Sequence, residues 1–143
     1  MSRMRLLSAW TVVVALTSLP AFAGELTVTN AWSRSTPPGV TVGVVYFTLQ
    51  NDTGKSDRLL KLSTPVATKV QVHRTEVLDG IARMREIAVL HVDAGQTLEF
   101  RPGGMHVMLI GLKQRLTEGK TYDLELLFEV AGPRKVKVAV RKD

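Results

Sequence analysis

Four side chains of this sequence share the spacing H-x10-M-x21-H-x-M: His73, Met84, His106 and Met108. Imidazole nitrogens and thioether sulfurs are borderline to soft donors, and such a donor set selects Cu(I) among the metals that proteins bind. The sequence contains no cysteine, so a soft-metal site in this chain must rely on methionine sulfur. The pattern therefore predicts a copper site and favours a carrier of the ion over an enzyme.

His91 and Met105 are the other residues of these two types beyond the N-terminal segment. His91 has no partner at ligand spacing and is interpreted as a surface histidine. Met105 directly precedes His106, so strand alternation directs it to the opposite face, and it is interpreted as a packing residue. Taken singly, Met84 or Met108 would be ordinary gap-filling residues of a core. The prediction of a metal site depends on the four-residue pattern as a whole.

Residues 1–23 are typical of a secretory signal peptide. A basic start (Arg3 and Arg5) precedes the apolar run Leu6–Leu16 and the small-residue cleavage site Ala21–Ala23, which is the usual order of these features. An uncleaved membrane anchor is the alternative, but the apolar run is shorter than the ~20 residues that a spanning helix needs. Without cysteine, no lipid-anchored N-terminus is expected. The sequence predicts a periplasmic protein with no membrane span after cleavage.

The remainder, residues 24–143, is predicted to form one domain and to be a monomer. The net charge of the whole chain is +6, and the basic residues are spread along it. Their densest group, Arg134–Lys142, has no interleaved aromatic residues, so a nucleic-acid partner is not expected. The sequence has no nucleophile motif, phosphate-binding glycine loop or carboxylate cluster, which argues against an enzyme.

Turn residues recur at short intervals, and the runs between them are rich in β-forming residues, which predicts an all-β sandwich or barrel of short antiparallel strands. Asp79-Gly80 is a strong hairpin signal. Towards the C-terminus, apolar and charged residues alternate through 124–130 and 135–140, as in strands with one buried face. The other predicted strands are Thr41–Gln50, Val70–Val77, Ile81–Ile87, Thr97–Phe100 and Met105–Leu112.

These strands would bring the four candidate donors together. Residues two apart in a strand point to the same side, so His106 and Met108 share a face. His73 lies on the polar side of its strand, and the hairpin places the strands of His73 and Met84 next to each other. The four side chains are predicted to converge at one end or edge of the sandwich.

Three segments of the sequence resemble the PCuAC family of periplasmic copper(I) chaperones, whose binding motif is the H-x10-M-x21-H-x-M given above. Residues 31–39 read A-W-S-R-S-T-P-P-G, residues 102–112 read P-G-G-M-H-V-M-L-I-G-L, and Ala-Gly precedes the last strand. The resemblance covers nearly all of residues 24–143. It implies a cupredoxin-like β-sandwich that binds Cu(I) and delivers it to the copper-A subunit of cytochrome c oxidase or to another periplasmic copper protein.

Two features depart from the family pattern. The chain has no tail rich in histidine and methionine, so a second site for Cu(II) is not expected. Met105 stands where an aromatic residue is common.

There are two alternative functions besides the copper chaperone. An electron-transfer cupredoxin would need a cysteine thiolate, which this chain lacks. A metal-free extracytoplasmic β-sandwich that binds other proteins remains an alternative, which the metal content of the purified protein would test.

Overall fold

The computed structural model describes residues 24–142, and within them it contains β-strands and no helix, which confirms the all-β prediction. The predicted signal peptide lies outside the described residues. No helix in the described part is long and apolar enough to cross a membrane. The strands are β1 (Leu26–Arg34), β2 (Val42–Asn51), β3 (Asp57–Ser63), β4 (Ala67–Leu78), β5 (Ile81–Glu86), β6 (Leu90–Val92), β7 (Thr97–Glu99), β8 (Met105–Leu112), β9 (Thr121–Phe128) and β10 (Gly132–Arg141).

The strands form one continuous sheet in the order β5-β4-β8-β2-β1-β10-β9-β3-β6, and the short β7 also pairs with β2. Neighbouring strands are antiparallel except β1 and β10, which run parallel, with Trp32 opposite Ala139. The alternation of side chains in the sequence predicts strands but does not specify this parallel pair. The order places β4 between β5 and β8, so the three strands that carry the candidate donors are adjacent.

The sheet curls around a single hydrophobic core, to which nearly every strand contributes its inward-facing residues. In β9 the predicted alternation is clear, because Leu124, Leu126 and Phe128 are buried while Glu125 and Leu127 between them are exposed. Burial of such side chains is the main favourable contribution to folding, at roughly 25 cal/mol per Å² of apolar surface. The opposite faces of the strands are left for polar side chains.

Three hydrogen bonds join the loop after β8 to the turn that follows β1. The Thr36 N–H donates to the Leu116 carbonyl at 2.9 Å, and the Thr36 hydroxyl accepts from the Leu116 N–H at 3.0 Å. The Arg115 Nε–H donates to the Thr36 carbonyl at 2.7 Å. These three bonds hold the far end of β8 in place and so support the register of the strand that carries His106 and Met108.

β4 and β5 form the hairpin that Asp79-Gly80 predicts. Both turn residues have positive φ, 52° for Asp79 and 75° for Gly80, as a type I′ turn requires. β8 pairs with β4 only as far as Arg74, whereas β5 pairs with β4 from His73 to the turn. Residues 75–84, called the ribbon below, therefore extend past the end of β8 as two strands that pair with each other and with no third strand.

Candidate metal site

The pairing of β4 with β8 sets two of the candidate donors directly opposite each other. His73 lies opposite His106, and Gln71 lies opposite Met108. Opposed residues of antiparallel strands point to the same face. The two imidazole centroids are 5.9 Å apart and the ring planes are inclined at 41°, so a nitrogen of each ring can point into the space between them.

Met84 joins the same face from the neighbouring strand. β5 pairs with β4 so that Glu86 lies opposite His73 and Met84 lies opposite Thr75. Met84 is thus diagonal to His73, within reach of a long side chain. All four candidate donors therefore lie on one face of three adjacent strands, called the donor face below.

The four donors differ in their exposure to solvent. His106 is buried, with 6% of its surface exposed, whereas Met84 is 64% exposed. His73 and Met108 are half-buried. The donor face is therefore closed on the side of β8 and open on the side of β5.

Two aromatic residues continue the donor face on the side of β2. Val45 of β2 lies opposite Val107, so the next residue, Tyr46, continues the donor face beside His106. Tyr46 is buried, and its ring centroid lies 4.8 Å from that of Trp32. Arg141 covers Trp32 in turn, with its guanidinium carbon 5.4 Å from the ring centroid, which is a cation–π geometry.

The Pro-Gly-Gly bend fixes the ring of His106. Its Nδ1 lies 3.1 Å from the Gly104 carbonyl oxygen, and because a carbonyl only accepts, Nδ1 carries the proton and Nε2 keeps its lone pair. The same carbonyl accepts from the Thr75 N–H at 3.2 Å. Gly103 has φ of 79°, which glycine adopts without strain. One backbone oxygen thus aligns the His106 ring with β4.

The ring of His73 is held through its Nε2 atom, whereas the ring of His106 is held through Nδ1. Its Nε2–H donates to the Gln71 Oε1 at 3.2 Å, which leaves the lone pair on Nδ1. That Nδ1 is buried and has no hydrogen-bond partner among residues 24–142. Buried polar atoms are almost always paired, so an unpaired ring nitrogen beside a second imidazole suits a metal ion.

The charge environment of His73 favours the neutral ring that a metal ligand requires. Burial lowers the pKa of His73 below its ordinary value, electrostatic interactions with His106 and Lys69 lower it further, and the Glu86 carboxylate partly opposes them. A neutral imidazole is the form that binds a metal.

Residues outside the pattern lie where the sequence indicates. His91 is exposed on β6, opposite Arg58, at the end of the sheet farthest from β5. Met105 is buried in the core, and its sulfur accepts a weak bond from Arg74 Nη2 at 3.5 Å. Among residues 24–142, no group of three or more His, Cys, Asp or Glu side chains is arranged to hold a metal ion.

Three contributors to this site are absent from the spacing pattern. The Gln71 side chain and the Gly104 carbonyl orient the two histidines, and Tyr46 continues the donor face on the side of β2. A signal for Gln71 is its position two residues before His73, which gives it the same face of β4. A backbone carbonyl gives no such signal, because every residue has one.

The sequence matches a family model over most of its length. The model is described as "Putative lipoprotein LpqE-like" and matches residues 26–140. Two curated relatives are each 28% identical to the chain. "Putative lipoprotein Lxx21020" from Leifsonia xyli subsp. xyli aligns over 96% of this chain and 90% of its own length. "Uncharacterized protein RP573" from Rickettsia prowazekii aligns over 78% of this chain and 64% of its own, so the chain spans less than two thirds of that relative.

Solved structures share the fold. The copper-bound PCuAC domain from PmoF2 has a TM-score of 0.71 at 22% identity, over 85% of this chain and 96% of that domain. The solution structure of Cu(I)-bound DR1885 from Deinococcus radiodurans has a TM-score of 0.71 at 32% identity, over 86% of this chain and 83% of DR1885. The apo form of DR1885 has a TM-score of 0.63 at 28% identity, over 100% of this chain and 95% of that one.

Proposed function

Because the chain belongs to the LpqE-like family of PCuAC-type proteins, we propose that it is a copper chaperone that acts outside the cytoplasm. One Cu(I) binds to His73, Met84, His106 and Met108 and is delivered to the copper-A site of cytochrome c oxidase. The observation that carries this proposal is the pairing of His73 with His106, whose free ring nitrogens share a face with the two thioethers.

The donor set suits a monovalent soft ion. Two neutral imidazoles and two thioethers add no negative charge, and thioether sulfur prefers Cu(I) over the harder divalent ions. The hydrogen bonds to Gly104 and Gln71 leave Nε2 of His106 and Nδ1 of His73 as the donor atoms. Second-shell bonds of this kind orient metal-binding histidines and fix their tautomers.

The relatives support the cargo and the compartment. DR1885 has been solved with Cu(I) bound, and it is 32% identical to this chain over 86% of the chain's length. The description of the family and the name of the Leifsonia relative both refer to lipoproteins, which are proteins of the cell envelope. These points support a role in carrying copper outside the cytoplasm.

The difference in solvent exposure among the four donors suggests the order in which they release copper. Met84, the most exposed donor, lies on the edge strand β5, whereas His106 is buried and hydrogen-bonded. A recipient that approaches the donor face meets Met84 first. Ligand exchange is therefore expected to begin with Met84 and to end with His106.

A metal-free interaction module is the second candidate function. It is favoured by the apolar side chains at the tip of the ribbon, since exposed apolar patches often mark contacts with other proteins. Such a module would have no use for an unpaired nitrogen on His73, and it would not bind copper stoichiometrically.

An anaerobic titration distinguishes the two functions. We expect the protein spanning residues 24–143 to withdraw one equivalent of Cu(I) from a chromophoric chelator, because the donor face has one set of four donors. Excess Zn(II) should leave the bound copper in place, since zinc sites favour cysteine, histidine or carboxylate donors. A chain that withdraws no copper from the chelator would contradict the chaperone function and favour the interaction module.

Gln71 provides a further test, because its oxygen selects the tautomer of His73. We expect Gln71→Leu to weaken Cu(I) binding by about 10- to 100-fold, the usual effect of losing a partner that orients a ligand. Gln71→Glu keeps an acceptor oxygen and should retain most of the affinity. The ¹⁵N chemical shifts of the His73 ring in the apo protein report the tautomer directly. Equal affinities for the Leu and Glu variants would show that Gln71 does not position the ligand.

A further inference from the structure

The tip of the ribbon exposes several large apolar side chains. Val77 is 68% exposed, Ile81 is 57% exposed and Leu78 is 46% exposed. All six residues of β5 are exposed, so the packing of the core does not explain why the ribbon is apolar. Contiguous exposed apolar side chains on a monomer commonly mark a binding surface.

One side of the ribbon continues the donor face. Val77 lies opposite Ala82, and Thr75 lies opposite Met84. Because opposed residues share a face, Val77, Ala82 and Met84 form an apolar strip that leads from the tip to the proposed copper ligands. A protein that covers this strip also covers Met84.

The reverse side of the ribbon is basic. Arg74, Arg83 and Arg85 lie there with a single acid, Glu76, whose Oε2 lies 3.4 Å from the Arg85 Nε. Leu78 and Ile81 share this side beside the turn. Arg83 forms no ion pair with a carboxylate in the described part of the chain. This charge attracts acidic surfaces and opposes pairing with a second copy of the same ribbon, since like charges facing each other are destabilising.

We infer that the ribbon is the docking element for the protein that receives copper. The recipient's metal-binding end is apolar where it covers Val77 and Ala82, and Asp or Glu carboxylates border it where it meets Arg83. This inference rests on the proposed function, because it takes the recipient to be a copper protein. It goes beyond that function by naming the surface that contacts the recipient and the surface chemistry that the recipient must have.

The test uses variants that alter the ribbon and leave the donors in place. Val77→Thr with Ala82→Ser removes apolar surface from the strip, and threonine keeps the β-branched side chain that favours strands. Arg83→Gln removes the unpaired charge. The matched controls are Val130→Thr, at a residue that is 65% exposed between β9 and β10, and Lys113→Gln, just beyond the far end of β8. Each Cu(I)-loaded protein is mixed with a soluble apo copper-A domain, and the copper content of the two separated proteins is measured at timed intervals.

We expect every variant to bind Cu(I) within about twofold of the parent, because sites without shared contacts affect each other little. The Val77→Thr, Ala82→Ser protein should transfer copper about tenfold more slowly, as expected for the loss of central interface contacts. The Arg83→Gln protein should show a weaker dependence of transfer rate on salt, since border charges act mainly on association. Both controls should match the parent.

Transfer by the double variant at the parent rate would overturn the inference while leaving the proposed function intact. Two other occupants of the ribbon are tested in parallel: a second copy of the chain, by dimerisation, and a membrane, by cosedimentation with phosphatidylglycerol vesicles. If the double substitution abolishes either kind of binding without slowing transfer, the inference is overturned as well. A parent that binds no Cu(I) would instead contradict the proposed function. A parent that holds copper but does not pass it to the copper-A domain would contradict both the proposed recipient and the docking inference.

Discussion

Replacing Met108 by leucine is expected to weaken Cu(I) binding by roughly a hundredfold, or about 2.7 kcal/mol. Leucine has a similar volume and polarity, and such swaps usually cost a protein less than about 1.5 kcal/mol of stability. The substitution therefore removes one sulfur donor and little else. Met108 lies next to His106 along the donor face and opposite Gln71, so its sulfur has no substitute among the neighbouring side chains of β4 and β8. Competition with a chromophoric Cu(I) chelator measures the loss.

Met105→Leu is the matched control for this experiment. Met105 is three residues away on the same strand but is buried in the core, so its sulfur faces away from the donor face. The control should bind Cu(I) as tightly as the parent. If Met108→Leu and Met105→Leu have the same affinity as the parent, Met108 is a packing residue and the four-donor site is wrong.

Mild peroxide treatment of the apo protein is expected to abolish Cu(I) binding without changing its far-ultraviolet circular dichroism. A sulfoxide replaces a soft sulfur donor by a polar group, and oxidation follows exposure. Met84 is 64% exposed and should react first, the half-buried Met108 next, and Met105, 9% exposed, last. Met84 contributes nothing to the core, so its oxidation leaves the fold intact. Mass spectrometry of peptides gives the order of oxidation.

Bound copper supplies the control for the oxidation experiment. Under anaerobic loading, Cu(I) should protect Met84 and Met108 from a methionine-alkylating reagent, because coordination lowers the nucleophilicity of the sulfur and restricts access to it. Undiminished copper binding after both sulfoxides have formed would show that the thioethers are not ligands.

Much of the fold can be predicted from local patterns in the sequence. The Asp79-Gly80 hairpin is a property of two turn residues, and the buried face of β9 follows from alternation within that strand, so both are local and both are confirmed. The resemblance to PCuAC proteins is likewise confirmed by the family match over residues 26–140. These features depend on residues close together in the chain.

The arrangement of the site could be predicted only in part. Alternation places His106 and Met108 on one face, but the distance from His73 to His106 depends on β4 lying beside β8, and these strands are separated in the sequence by β5, β6 and β7. Long-range strand order follows from the packing of the whole core and not from any local pattern. The ligand role of the four residues stays a prediction, which the copper titration and the Met108 variant address.

The burial of His106 could not be predicted from the spacing pattern either. The spacing pattern carries no information on the exposure of His106, which is buried, and next to it on the donor face lie Tyr46 from β2 and Trp32 from β1, whose rings contact each other. Both aromatic residues come from strands more than fifty residues earlier in the chain. Their position on the site's side of the sheet requires the order β8-β2-β1, which only the complete fold provides.

The parallel contact of β1 with β10 has a consequence for when this protein can fold. The first and last strands of the described chain are neighbours near the middle of the sheet, so β1 lacks one of its partners until the C-terminal residues are available. Contacts between such distant segments make folding slow, because the loop that joins them must be closed first. If the chain is exported in an extended form, as the proposed function outside the cytoplasm requires, its sheet would be completed only after the last strand has emerged.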